Sequence, residues 1–348
     1  MPRKVLHHAD SLRSLPFAFA LLLSSVRIDV ASARLPIAAS QAPALQACEE
    51  AWGTRLRGWR AGADCTVAQG LTCDPSGMIS AIDLSMSNLT GPIPPDITTL
   101  TALTKLSLGD NSLSGAIPWQ LSMLPLLMDL NLYSNNLSGP VPPQLGKLTV
   151  LTSLVLGRNQ LSGSIPTTIS ALAALTIDLS SNNITGSIPA SFSAHTNLQE
   201  LDLSSNDLEG PIPDSMGRMA NLTVLNLSSN KLNGSIPAAI GSMTSLKHLY
   251  LHNNFLSSSL PSTLGGLSAL VDLVVGNNRQ LNGSIPDSLG SISTLERLVL
   301  SENSLQGTIP NTFSQLTNLE QLSVPSLPPA PATTLTCNFH HPCPPRAP

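Results

Sequence analysis

The chain has 348 residues, 3% of them aromatic and 11% charged, with a formal net charge of −4 at pH 7. So few cations exclude nucleic acid or an anionic membrane as the main partner, because both require a concentrated basic surface. With so few rings the core must be aliphatic, and one compact globule of this length would be unusually large.

Residues 1–33 read as a secretory signal peptide. Arg3, Lys4 and Arg13 precede the apolar run Leu15 to Leu23, and Ala31-Ser32-Ala33 is a small-x-small cleavage site. The run is too short to span a bilayer. Removing this segment leaves 13 basic and 19 acidic residues, net −6. No later run is long enough for a transmembrane segment, and no lipid-anchor signal ends the chain.

Residues 44–78 read as an N-terminal cap. Leu45, Cys48, Trp52 and Leu56 fall at helical spacing within Ala44 to Trp59, so a short amphipathic helix is expected over the open end of the array. Cys65 and Cys73 follow. At the far end, Cys337 and Cys343 sit in a proline-rich tail, residues 325–348. In a secreted chain both pairs are expected to be disulfides that fasten the ends. Cys48 is left over, to pair across the cap, stay free or bridge to another chain.

Residues 79–324 repeat one pattern, clearest in Leu198 to Pro213: L-x-x-L-x-L-x-x-N-x-L-x-G-x-I-P. Copies begin at Ile79, Leu103, Leu127, Leu151, Ala174, Leu198, Leu222, Leu246, Leu270 and Leu295, and a partial one at Leu319. The spacing is 24 residues, with one of 23 (Leu151 to Ala174) and one of 25 (Leu270 to Leu295). This period and leucine pattern predict an α/β solenoid of the leucine-rich-repeat type. It has a parallel strand per coil on the concave face, a short second strand, a 3-10 or irregular convex side, and about ten repeats plus caps. Alternation in L-x-L puts Leu201 and Leu203 inward and Glu200, Asp202 and Ser204 outward. The frame asparagine recurs as Asn111, Asn135, Asn159, Asn182, Asn206, Asn230, Asn254, Asn278 and Asn303, with Ser87 in the first copy. Its amide is expected to satisfy turning backbone of its own and the next coil. The frame glycine is replaced once, by Ser258, and the proline is present in every full copy, Pro94 through Pro310.

The array with its G-x-I-P extension resembles the plant-type leucine-rich-repeat family. That family includes ectodomains of receptor-like kinases and receptor-like proteins, and the polygalacturonase-inhibiting proteins. The preceding stretch is similar to the family's cap, in which a tryptophan precedes a cysteine pair containing Gly-hydrophobic-x-Cys. The matching residues are Trp59, Cys65, Gly70, Leu71 and Cys73. Val67 and Ala68 stand where the family has a tryptophan between the cysteines, and the segment is one residue longer. The resemblance covers residues 44–324 and implies fold and class, not a ligand.

Catalytic patterns are weak. His248 and His252 have H-x-x-x-H spacing, but zinc proteases carry it on a helix with glutamate after the first histidine, and Leu249 stands there. On a strand the two rings would be about 13 Å apart, too far for one metal. Cys337-x2-His340-His341-x-Cys343 could hold zinc, but secretion favours a disulfide. No enzyme activity, metal or cofactor is expected. Seven N-x-S/T sequons, at Asn88, Asn136, Asn183, Asn221, Asn226, Asn233 and Asn282, are candidate glycan sites.

The frame leaves the outward strand residues free to vary. Two groups mix aromatic, aliphatic and charged side chains as recognition surfaces do. One is His248, Tyr250, His252, Asp272, Val274, Arg297 and Val299, with Glu302; the other is Lys105, Asp129, Tyr133, Val155 and Arg158. The serine-rich copies between them carry Asn226, where a glycan would stand up from the sheet. The favoured site is the first group, binding a protein or peptide in extracellular signalling or defence. Alternatives implied by the resemblance are an inhibitor of a cell-wall-degrading enzyme, or a truncated or shed receptor ectodomain working with a receptor kinase. The expected location is the extracellular space or cell wall, alternatively the outer face of the plasma membrane.

Overall fold

The computed structural model describes residues 35–325. The expected signal peptide and the Cys337–Cys343 pair lie outside the described residues. The rest is an α/β solenoid. Each coil contributes a short strand, from Ile79–Asp83 to Gln321–Ser323, and neighbouring strands pair in parallel. The register is set by the frame leucines: Leu201 lies between Ile177 and Leu225 and all three are buried. Together with the antiparallel strand Leu71–Cys73 they form a twelve-stranded sheet.

Parallel neighbours need a crossover, and the remainder of each coil supplies it. After Glu200–Asp202 the chain enters a second strand, Asp207–Pro211, and then a 3-10 turn, Asp214–Arg218. The second strands build a nine-stranded sheet running from Thr90–Gly91 to Gln280–Asn282. The frame proline immediately precedes each turn. Pro213 has φ −66, a value its ring dictates, and it ends the second strand. On the turn side a second glycine matters that the repeat pattern did not single out. A Cβ at Gly241 would stand 2.1 Å from the Thr263 carbonyl oxygen, so only glycine lets the turns stack this closely. The Thr263 hydroxyl ties the same two turns together by donating to the Ala238 carbonyl at 2.7 Å.

The asparagine column works differently from the expectation. The Asn206 amide nitrogen donates to the Leu203 and Ser204 carbonyls of its own coil and to the Leu179 carbonyl at 2.9 Å. Its oxygen accepts from the Ile184 N–H at 3.0 Å. Leu179 and Ile184 belong to the preceding coil, not the next. They flank the corner where one sheet ladder stops and the other has not begun; the Ile184 N–H takes its acceptor from Asn206, and the Leu179 carbonyl is shared with Asn182 of its own coil. Ser87 now makes sense: only the antiparallel cap strand precedes its coil, so no such corner awaits it. The 25-residue coil bends the rule, with Asn303 accepting from the Asn278 N–H instead.

The cap helix spans Ala42–Trp52, shorter than the expected Ala44 to Trp59. Gly53 ends it in the left-handed conformation, φ 61. Leu56 and Trp59 are buried from the following loop instead, and Trp59 packs edge-on against Trp52 at 5.8 Å. Cys65 and Cys73 are disulfide-bonded. Cys48 is free and buried, and burial pushes its thiol well above the usual range, so it is an inert packing residue.

Candidate ligand-binding face

Six residues of the first predicted group come together on three adjacent strands, His248–Tyr250, Asp272–Val274 and Arg297–Val299, while His252 and the exposed Glu302 lie just past the strand ends. Register places His248, Asp272 and Arg297 in one row and Tyr250, Val274 and Val299 in the next. Asp272 is the hub. One carboxylate oxygen accepts from the Tyr250 hydroxyl at 2.8 Å and lies 2.6 Å from His248 Nδ1. The other accepts from Arg297 Nε at 2.9 Å, and Arg297 Nη2 donates to the Tyr250 hydroxyl at 3.1 Å. The guanidinium also lies 5.7 Å from the Tyr250 ring centroid.

Asp272 is therefore not the exposed residue that alternation suggested. Its side chain is 12% exposed, against 40% for Arg297 and 33% for His248, because both neighbours fold over it. Burial raises its pKa, but the bonds from Arg297, Tyr250 and His248 outweigh that and hold the carboxyl below its ordinary range. Burial and the Asp272 carboxylate raise the Tyr250 phenol. His252 stands beside Tyr250, ring centroids 6.5 Å apart. Burial and the Arg297 charge lower its pKa, and its Nδ1 is buried without a partner. The surface presented outward is thus a guanidinium, a phenol ring and two imidazoles, flanked by Val274 and Val299 and fixed from beneath by one carboxylate.

The second group is looser. Arg158 lies over the Tyr133 ring at 5.8 Å. Lys105 bonds Asp83 at 3.1 Å, but both are about half exposed and water screens the pair. Between the groups the surface is not simply solvated serine. Ser204 and Ser228 are buried, Ser205 is exposed, and Ser180, Ser181 and Ser229 lie between these extremes. Asn226 is half-buried and donates to Asp202 at 3.0 Å while accepting from the Ser228 hydroxyl. The other six sequon asparagines are exposed. Burial raises the pKa of Asp178, with the Asp202 charge adding to it and Ser180 opposing.

Leucine-rich-repeat family models match residues 149–279 in overlapping windows, and residues 126–148 and 294–316 as single repeats. The chain belongs to the leucine-rich-repeat family. Its plant-type character appears in its relatives. A probable leucine-rich-repeat receptor-like protein kinase of Arabidopsis thaliana is 36% identical over 69 residues, 20% of this chain and 7% of that one. A solved structure of the plant peptide hormone receptor RGFR1 in complex with RGF2 superposes with TM-score 0.70 and 34% identity, over 72% of this chain and 41% of the receptor. A plant ice-binding protein superposes with TM-score 0.70 and 29% identity, over 86% of this leucine-rich-repeat chain and 100% of that one. The chain thus spans less than half of either receptor it resembles. Among the described residues no helix is long and apolar enough to cross a membrane, and no group of His, Cys, Asp or Glu is arranged to hold a metal.

Proposed function

We propose that this is an extracellular, non-enzymatic recognition protein whose face at His248 to Val299 binds a peptide or protein. The observation that carries this reading is the Asp272 network. It holds Arg297 and Tyr250 in one geometry before any ligand arrives, which cuts the ordering cost of binding. Arginine and tyrosine are the side chains that most often dominate interface energy. The hormone-receptor relatives support a peptide as the ligand class. The test is to pan a displayed peptide library on the secreted chain. Enriched peptides should lose binding to Tyr250→Ala and Arg297→Ala and keep it to Tyr133→Ala. Loss on Tyr133→Ala alone moves the site to the other group. Inhibition of a fungal pectinase would favour the cell-wall-enzyme alternative, and a longer transcript encoding a membrane span the receptor-ectodomain one.

A second reading follows from the other sheet. No charged residue stands between Asn88 and Pro92, Ser112 and Ala116, Asn136 and Pro140, Gln160 and Ser164, or Asn183 and Ser187. Charge begins only with Asp207, Glu209 and Lys231. A flat lattice of small hydroxyl, amide and apolar groups lacks the anchors protein partners need, and the whole-length relative that binds ice makes ice the alternative occupant. Inhibition of ice recrystallisation that disappears with Ser138→Tyr supports it; no inhibition at millimolar protein removes it.

A further inference from the structure

Three departures from the repeat fall side by side on the nine-stranded sheet. Phe255 stands outward, 54% exposed, in a column filled elsewhere by Asn136, Gln160, Asn183, Asp207 and Lys231. Three residues on, Ser258 replaces the frame glycine, and the following coil carries the additional residue of the 25-residue spacing at its Asn278-Arg279-Gln280 corner. A recess of about 420 Å³ opens here, walled by Asn253, Phe255, Asn277, Arg279 and Gln280. Its amide edge is held in place, since Asn277 donates to the Asn253 side-chain oxygen at 2.8 Å. Directly opposite Phe255 in register stands Asn233, exposed, the first residue of the sequon Asn233-Gly234-Ser235. Paired strands lie about 4.8 Å apart and register partners point the same way, so a group on the Asn233 amide starts beside the phenyl ring.

We propose that Asn233 carries an N-linked glycan whose first N-acetylglucosamine lies on Phe255 and along the Asn253–Asn277 amide edge. The apolar C–H face of a pyranose suits the negative face of an aromatic ring. Amide and guanidinium groups match its hydroxyls and acetamide. The tether makes the contact intramolecular, so a weak attraction suffices to keep it formed. The other exposed sequons on this sheet lack such a ring: Asn136 faces Ser114, Asn183 faces Ser162 and Asn282 faces Ser259. In the transfer, a bond forms between Asn233 Nδ2 and C1 of the sugar as the oligosaccharide leaves a lipid pyrophosphate carrier. The pyrophosphate and one amide proton depart. The inference rests on the extracellular reading, since that carrier is met only in the secretory pathway.

The full chain is secreted from eukaryotic cells as wild type, Asn233→Gln, Phe255→Ser and the double variant. Glycopeptide mass spectrometry should find sugar on Asn233. Asn233→Gln should lower Tm by about 2 °C when Phe255 is present and leave it unchanged with Phe255→Ser, the size expected of roughly 1 kcal/mol in a chain this long. The same variants made in bacteria, without sugar, should show no Asn233→Gln effect. Sugar on other sequons but not on Asn233 overturns the proposal, as does an equal Tm shift with and without Phe255. A chain that stays inside the cell, bare at every sequon, removes the extracellular reading along with it, whereas a secreted chain bare at every sequon overturns the glycan proposal alone.

Discussion

At the scale of single residues, frame positions and face positions should respond very differently to mutation. Asn206→Ala deletes four hydrogen bonds and strips the Ile184 N–H of its side-chain acceptor at a buried corner, where Asn182 alone still donates to the Leu179 carbonyl. A loss of about 2–4 kcal/mol in urea unfolding is expected. Ser204→Ala, two residues away, should stay within about 0.5 kcal/mol, because it removes one small hydroxyl and no backbone partner. Equal losses would show that the asparagine bonds are not what closes the corner. Ser258 offers the opposite sign. It holds φ 67 where other coils place glycine, for example Gly210 at φ 79. Ser258→Gly relieves left-handed strain, partly offset by a freer unfolded chain, and should raise stability by about 0.5–1 kcal/mol. The residue scale is also where the sequence was least legible. Alternation marked Asp272 as outward, which is true of its Cβ. Its burial comes from Arg297 and His248 closing over it, and that depends on side-chain length across strands, which no single repeat encodes.

At the scale of the element, the strands and turns were legible because leucine, asparagine and proline recur at fixed offsets and each has one physical job. The cap helix was not, because Leu56 continues the helical spacing past a glycine that stops the helix. The 3-10 turn Ala190–Ala194 carries a further irregularity. It ends in His195, where the preceding and following turns end in Leu172 and Met219. His195 is buried against Phe192, ring centroids 5.6 Å apart, and its Nε2 has no partner. Burial lowers its pKa from the ordinary 6.5, against backbone bonds that raise it. The folded state therefore resists the proton that the unfolded chain accepts, and stability falls as pH drops below about 6.5 towards the lowered value. His195→Leu should remove that part of the acid sensitivity. Thermal melts at pH 7 and pH 5 should differ less for the variant than for the wild type; an unchanged difference would mean that His195 takes up the proton as readily in the folded state as in the unfolded one.

At the scale of the whole array, stability is carried between neighbours, so a coil is a removable unit. Deleting Leu198 to Asn221 takes out one 24-residue period and joins Asn197 to Leu222 in frame. The shortened chain should fold with an unbroken ladder, keep the Asp272 network and melt in one transition at a lower temperature. Deleting twelve residues from the same point should leave an insoluble chain, because leucines would face asparagines across the ladder; circular dichroism and gel filtration distinguish the two outcomes. The asparagine bonds also give the array a direction. Each coil's corner is completed by the coil after it, so during synthesis the newest coil on the ribosome is always the unfinished one. Closure trails the growing end by one period, and a nascent chain halted anywhere in the array exposes a single open corner at its leading edge, whatever its length.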